Sequence, residues 1–191
     1  MGSDKALLPF GRENLLQLAL SKAMQVSATP AIVGDRSRYS SYGRVIEDRF
    51  QGCGPLGGIH AALCATQTDL SLVMSVDMPL MTAGFLVWLA NLAASGEESA
   101  FVPEAQGRRQ PLCAVYRRSA QPVIEQALKM GVFKVDHVLR LIPTHYVREE
   151  ELLEAGFSPD IFCNVNTPED YEAINNPQLH NAPRLSEGER Q

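Results

Sequence analysis

The chain alternates stretches of helix-spaced apolar residues with short, nearly unbroken apolar runs. Residues 12–25 (RENLLQLALSKAMQ) put Leu15, Leu16, Leu18, Ala19 and Ala23 on one broad face, which predicts a helix. After Pro30, Ala31-Ile32-Val33 reads as a short strand stopped by Gly34-Asp35, and Arg44 to Asp48 as a second. Gln51 to Gly58 holds four glycines and a proline in eight residues and reads as a loop, with a helix from Ile59 to Thr66. Leu70 to Val76 is almost wholly apolar and ends in Asp77-Met78-Pro79. A run without alternation marks a strand covered on both faces. Thr82 stands where it can cap a helix through Phe85, Leu86, Trp88, Leu89 and Leu92. Further strands are expected at 99–102, 111–116, 145–147 and 162–165, and helices at 119–130 and 135–141. Thr167-Pro168-Glu169-Asp170 carries the cap, proline and first-turn acids of a helix start.

Strands that alternate with helices predict βαβ units with right-handed crossovers, hence an α/β fold with a mostly parallel central sheet. In such sheets ligands bind at the carboxyl ends of strands. The loops after Val33, Ile46, Val76 and Val165 are therefore where chemistry is expected. From Pro177 onward the chain turns polar, so residues 1–176 read as one domain and 177–191 as a disordered tail.

Charge narrows the partners. Across 191 residues, 17 Lys+Arg stand against 22 Asp+Glu, a net charge of -5. That balance argues against nucleic acid or an anionic membrane as the main partner, but not against a nucleotide held by a few local cations. No apolar run approaches a membrane span, and the N-terminus lacks a signal-type apolar core. Cys53, Cys64, Cys113 and Cys163 are 11, 49 and 50 residues apart, with no C-x-x-C pair. They read as free thiols in a reducing cytoplasm rather than a zinc or disulfide framework.

Asp77 is the sharpest candidate for chemistry. A carboxylate ending an apolar strand is costly unless solvated, paired or bound to a cation. It reads either as a Mg²⁺ ligand beside phosphates or as a turn aspartate. The glycines from Gly52 to Gly58 either let the backbone approach an anion at a helix N-terminus or make a plain turn. They fit neither G-x-G-x-x-G nor a Walker A motif. Lys5 is a phosphate cation or a solvated charge. Arg108 and Arg109 meet a phosphate-bearing ligand or form a polar hairpin tip. Asn164 to Asp170 suits a strand-to-helix turn on structural grounds alone. His60, His137 and His145 fit local hydrogen bonds better than catalysis, and no Ser/His/Asp or Cys/His set is identifiable.

In sequence order these pieces resemble a known family. Met1-Gly2-Ser3-Asp4-Lys5-Ala6-Leu7-Leu8 is similar to the second half of the nucleotidyltransferase signature L-A-G-G-x-S-x-R-M-G-x-D-K. Val45-Ile46-Glu47-Asp48, Gly54-Pro55-Leu56-Gly57-Gly58, Val76-Asp77-Met78-Pro79, Gln110-Pro111-Leu112 and Asn164-Val165-Asn166-Thr167-Pro168-Glu169-Asp170 then follow as in the MobA-like molybdenum cofactor guanylyltransferases. The resemblance spans residues 1 to about 175. It implies a Rossmann-like three-layer fold, GTP and molybdopterin as substrates, Mg²⁺ as cofactor and transfer of GMP with release of pyrophosphate. Molybdoenzyme maturation proteins are implied as further partners. By motif, Lys5 would meet the nucleotide phosphates, Asp48 would lie in the guanine site, and Asp77 would bind both GTP and Mg²⁺. Gly34 stands where relatives often carry a nucleotide-contacting Asn. Arg108 and Arg109 fall in the half implied to shape the acceptor site. Phosphoryl-type transfer asks for positioning and charge neutralisation, which a metal, a cation and backbone donors supply. The Gly-rich half of the signature and the strand leading to it have no counterpart, as if the start codon were assigned too far downstream or the chain were shortened. Weak GTP binding is therefore expected. The same pieces leave open a cytidylyltransferase for this cofactor, another nucleotidyltransferase or a catalytically silent binding protein.

Overall fold

Asn14 decides where the first long helix begins. The computed structural model of the protein describes residues 4–165 and 170. After a 3₁₀ turn at Lys5–Leu7, strands β1 (Pro9–Phe10) and β2 (Glu13–Asn14) form a hairpin around Gly11, whose φ of 62° needs no Cβ. The Asn14 side chain accepts from the Gln17 N–H at 2.8 Å, and the Gln17 side chain accepts from the Asn14 N–H at 3.1 Å. This capping box starts α1 (Leu15–Ala23), so the helix expected from residue 12 begins three residues later.

Next come β3 (Ile32–Val33), α2 (Arg36–Tyr39) and β4 (Val45–Ile46), with β3 and β4 parallel. Helix α3 (Gly54–Ala65) starts inside the stretch expected as a loop, because Pro55 presets the first turn. It is the crossover from β4 to β5 (Leu70–Met74), which α4 (Ala83–Ser95) follows, capped by Thr82. Then come β6 (Ala100–Ala105), β7 (Arg108–Arg109), β8 (Cys113–Arg117), α5 (Gln121–Lys129), α6 (Val135–Leu139), β9 (Thr144–Val147) and α7 (Glu149–Glu154).

The main sheet pairs β5 with β8, β8 with β6, and β6 with both β7 and β9. Strand β9 lies parallel to β6, whereas β8 runs antiparallel to its neighbours β5 and β6. The reversal at β8 follows from the tight turn at Gln106-Gly107, which returns the chain without a crossover helix. Alternate strand residues feed two cores. Val102, Ala114 and Tyr116 pack with Leu56, Ile59 and Leu63 of α3 and Ile124 and Leu128 of α5. Phe101, Cys113 and Val115 pack with Phe85, Leu86 and Leu89 of α4 and Leu152 of α7. These are the helix–sheet–helix layers the alternating pattern predicts.

The strand expected at 162–165 does not form. Ser158 caps a 3₁₀ turn at Pro159–Phe162, and Phe162 stacks edge-on against Phe85. The helix start at Thr167 and the tail from 177 lie outside the described residues. Among the described residues no helix is long and apolar enough to cross a membrane.

Candidate functional site

Three strands deliver their following loops to one end of the molecule. Asp77 lies three residues past β5, where Ser75 holds it: the Ser75 hydroxyl donates to Asp77 Oδ1 at 2.5 Å. The Ser75 N–H in turn donates to the Leu112 carbonyl at 2.6 Å, and the Val165 N–H to the Asp77 carbonyl at 2.8 Å. The segments Gln110-Pro111-Leu112 and Asn164-Val165 therefore flank the aspartate. From the other side, Lys22 of α1 donates to the Pro79 carbonyl at 2.7 Å, and burial lowers the pKa of its ammonium. The sequence pattern does not signal Ser75 or Lys22 as site residues. A hydroxyl two residues before the aspartate and a lysine within an apolar helix face are the clues it offers.

Asp48 follows β4. Its carboxylate is half-buried against the start of α3, where a Cβ on Gly57 or Gly58 would lie 3.9 Å from Asp48 oxygens. A Cβ there would make only ordinary contact with the carboxylate, whereas at Gly57 it would come within 3.0 Å of the Phe50 carbonyl. Asp48 Oδ1 is buried with no hydrogen-bond partner among the described residues, and desolvation raises the pKa of the group. An orphaned, charge-bearing oxygen at a strand's carboxyl end is built to receive a donor.

The N-terminal segment is tied to the same end. Asp4 caps the first turn through the Ala6 N–H at 3.1 Å and accepts from the Tyr39 hydroxyl at 2.7 Å. Arg38 adds a contact to Asp4 at 3.7 Å. Ala6 packs with Ile32, Val45 and Val76, the last being the residue before Asp77. Lys5 is thereby placed between buried Ala6 and anchored Asp4, and it is exposed. A Cβ on Gly34 would come within 2.9 Å of the Tyr39 ring, so Tyr39 fills the space a side chain at 34 would take.

Arg108 and Arg109 leave β7 next to Gln110. Arg108 is exposed, while Arg109 is engaged: 3.1 Å to Glu104, 3.6 Å to Asp136 and 4.2 Å above the Tyr146 ring. His60 is buried with Cys64 at 3.4 Å and Gln121 at 3.3 Å, and His145 lies 3.3 Å from Glu151. Both serve local contacts. No cluster of three or more His, Cys, Asp or Glu side chains able to hold a metal exists among the described residues. Asp77 is the metal-type donor that follows β5, and one carboxylate suits a hard divalent cation only when phosphate oxygens help complete its shell.

A three-layer α/β fold with a strand-end carboxylate, a glycine-rich helix start and a lysine-bearing turn has its candidate residues in the loops that follow strands, where such folds bind ligands. The sequence model of the MobA-like NTP transferase domain matches residues 1–145. The chain belongs to this family of MobA-like NTP transferase domains. It is 35% identical over 172 residues to a probable molybdenum cofactor guanylyltransferase of Pelotomaculum thermopropionicum, covering 89% of this chain and 83% of that one. It is 36% identical over 128 residues to one from Bacillus velezensis, covering 67% of this chain and 62% of the relative's length. The crystal structure of molybdopterin-guanine dinucleotide biosynthesis protein A from Archaeoglobus fulgidus superposes with a TM-score of 0.77 at 26% identity, covering 90% of this chain and 88% of that one.

Proposed function

We propose that this protein transfers GMP from GTP to the phosphate of molybdenum-bound molybdopterin, forming the guanine dinucleotide cofactor and releasing pyrophosphate. The observation that carries the reading is Asp77, braced by Ser75 at the end of β5 and flanked by the Gln110–Leu112 and Asn164–Val165 segments. An acceptor phosphate oxygen attacks the α-phosphorus of GTP, the bond from that phosphorus to the bridging oxygen breaks, and pyrophosphate leaves. Such a step needs charge neutralisation and alignment more than a nucleophilic side chain.

Each residue has a task in that scheme. Lys5 offsets charge on the nucleotide phosphates. Asp48 takes the guanine base: a carboxylate accepts only, and the guanine edge presents two adjacent N–H donors where cytosine presents one amino group. Asp77 is the residue that would hold Mg²⁺, and the ion would supply neutralisation of the phosphate charge. Arg108 offers an exposed planar fork to the acceptor phosphate, and Arg109 holds the hairpin that presents it. Four thiols outside any disulfide fit a reaction carried out in the cytoplasm.

The test is a reconstituted reaction with GTP, Mg²⁺ and molybdenum-loaded molybdopterin at saturating GTP. Pyrophosphate and the guanine dinucleotide should form together, and CTP should serve poorly. Product with CTP but not GTP would reassign the base, and absence of product with either would leave the chain a binding protein.

A further inference from the structure

The backbone around Asp77 is pinned on both sides. The Ser75 N–H donates to the Leu112 carbonyl at 2.6 Å, which carries the β5–β8 ladder one residue past Met74. Val76 packs against Ala6, Ile32 and Val45. The Val165 N–H donates to the Asp77 carbonyl at 2.8 Å, and the Lys22 ammonium to the Pro79 carbonyl at 2.7 Å. A residue held this way keeps only rotation about its own side-chain bonds.

The Ser75 hydroxyl removes that freedom too. It donates to Asp77 Oδ1 at 2.5 Å, the length of a bond between a hydroxyl and a charged carboxylate. Because the ladder holds the serine backbone, the hydroxyl starts from a fixed place. Asp77 Oδ2 accepts no hydrogen bond among the described residues, and the residue keeps part of its surface in solvent. The two carboxylate oxygens are therefore unequal: a neighbour occupies one, and the other is open. Most side-chain hydrogen bonds go to backbone or water. This one goes to the carboxylate itself, so its consequence is chemical as well as structural.

We propose that Ser75 is a positioning residue that sets which divalent cation Asp77 accepts: it reserves Oδ1 and leaves Oδ2 as a one-oxygen ligand. The inference rests on the reading that Asp77 holds a cation together with GTP. Divalent cations differ in what they ask of a carboxylate. Mg²⁺ takes single oxygens in a near-ideal octahedron and fills its shell with water and phosphate oxygens. Ca²⁺ is larger, takes more oxygens and commonly uses both oxygens of one carboxylate. Two-oxygen ligation at Asp77 requires the Ser75 bond to break. The half-buried hydroxyl then loses a charged acceptor, which is costly. One-oxygen ligation meets no such cost. The bond therefore penalises the larger ion and leaves the smaller one unaffected.

Binding, not turnover, is the readout. GTP is titrated into the protein with saturating Mg²⁺ or saturating Ca²⁺ and no molybdopterin. The amide shifts of Val76 and Asp77 are followed by NMR, which reports affinities into the millimolar range. The quantity measured is the ratio of the two dissociation constants. Ser75→Ala should move that ratio toward Ca²⁺ by about tenfold, the worth of one hydrogen bond to a charged group. Ser75→Thr keeps a hydroxyl and should hold the wild-type ratio. A merely structural role would move both constants together and leave the ratio alone. An unchanged ratio in Ser75→Ala, or an equal shift in Ser75→Thr, overturns the inference. If Ser75→Ala does not fold, Ser75→Cys, close in volume and a weak donor, takes its place with the same shift expected. Asp77→Asn separates this result from the reading beneath it: GTP binding with Mg²⁺ should weaken. Wild-type binding by Asp77→Asn with both ions would take the cation away from Asp77 and overturn reading and inference together, as would the absence of any shift at Asp77 with either ion.

Discussion

The Tyr39 hydroxyl donates to Asp4 Oδ2 at 2.7 Å across 35 residues of chain, and this bond anchors the segment that carries Lys5. Burial and the Asp4 carboxylate together raise the Tyr39 pKa to about 12. A phenol with a raised folded pKa binds its proton more tightly in the native state, so its contribution is complete below about pH 10 and is lost as pH rises toward 12. Tyr39→Phe should therefore destabilise the protein by about 1.5 kcal/mol at pH 8, the lower range for a bond to a charged acceptor. Urea unfolding at pH 8 and again near pH 11.5 checks this. The gap between wild type and variant should shrink at the higher pH, and a gap that persists would show that the bond is not its source.

Asp77→Asn should leave the unfolding midpoint nearly unchanged and lower turnover by about a hundredfold or more. A neutral amide keeps the Ser75 contact but loses the charge that would hold a cation worth several kcal/mol in the transition state. Turnover measured over a Mg²⁺ series, alongside thermal unfolding, decides the matter. Near-normal turnover at limiting Mg²⁺ would remove Asp77 from that role.

How much of this was legible in the sequence depends on which interactions are local. The α/β alternation, the β5 run and the Thr82 cap are local signals, and they place Asp77 at a strand end without reference to any fold. Boundaries moved where a side chain intervened: Asn14 delays α1, and Pro55 advances α3 into a stretch that glycine content marks as loop. Short elements such as α2 and β7 carry too few residues for periodicity to register. The direction of β8 depends on a two-residue turn rather than on apolar pattern. Of the candidate site, Asp48, Asp77 and Lys5 stood out by motif, whereas the contacts that hold their segments did not. Ser75, Lys22 and Tyr39 act across distances in sequence that no spacing rule encodes. Arg108 and Arg109 look equivalent as a dipeptide, yet alternation across β7 sends only one of them to Glu104 and Tyr146.

Asp48 should show stability and binding pulling in opposite directions. Desolvation raises its pKa, so at neutral pH the folded state holds a charge it would prefer to release. Asp48→Asn should raise stability by about 1 kcal/mol at pH 7, near the low end of the cost of an unpartnered buried group. It should also weaken GTP binding. Because protonation relieves the same cost in the wild type, the stability gain should fade as pH drops toward the ordinary carboxylate value. Urea midpoints at pH 7 and pH 4.5, with calorimetry for GTP, measure both effects. A loss of stability at pH 7 would mean that Asp48 has a partner in the folded protein.

Single substitutions should split Arg108 and Arg109 into a ligand contact and a structural contact. Arg108 is exposed at the β6–β7 hairpin, beside the segment that reaches Ser75 through Leu112. Arg108→Ala removes a forked donor without disturbing a packed neighbour, so it should raise KM for molybdopterin about tenfold, the worth of one modest charge-assisted contact, and leave KM for GTP and the unfolding midpoint unchanged. Arg109 instead joins Glu104, Asp136 and the Tyr146 ring. Its ion pairs are partly solvent-screened, and the stacked guanidinium adds packing, so Arg109→Ala should cost about 1 kcal/mol of stability. Arg109→Lys should recover little of it, because an ammonium neither forks nor stacks as a guanidinium does. Steady-state kinetics against each substrate, run with urea unfolding on the three variants, tests the division. A rise in KM for GTP with Arg108→Ala, or no kinetic change at all, would take the acceptor phosphate away from this hairpin.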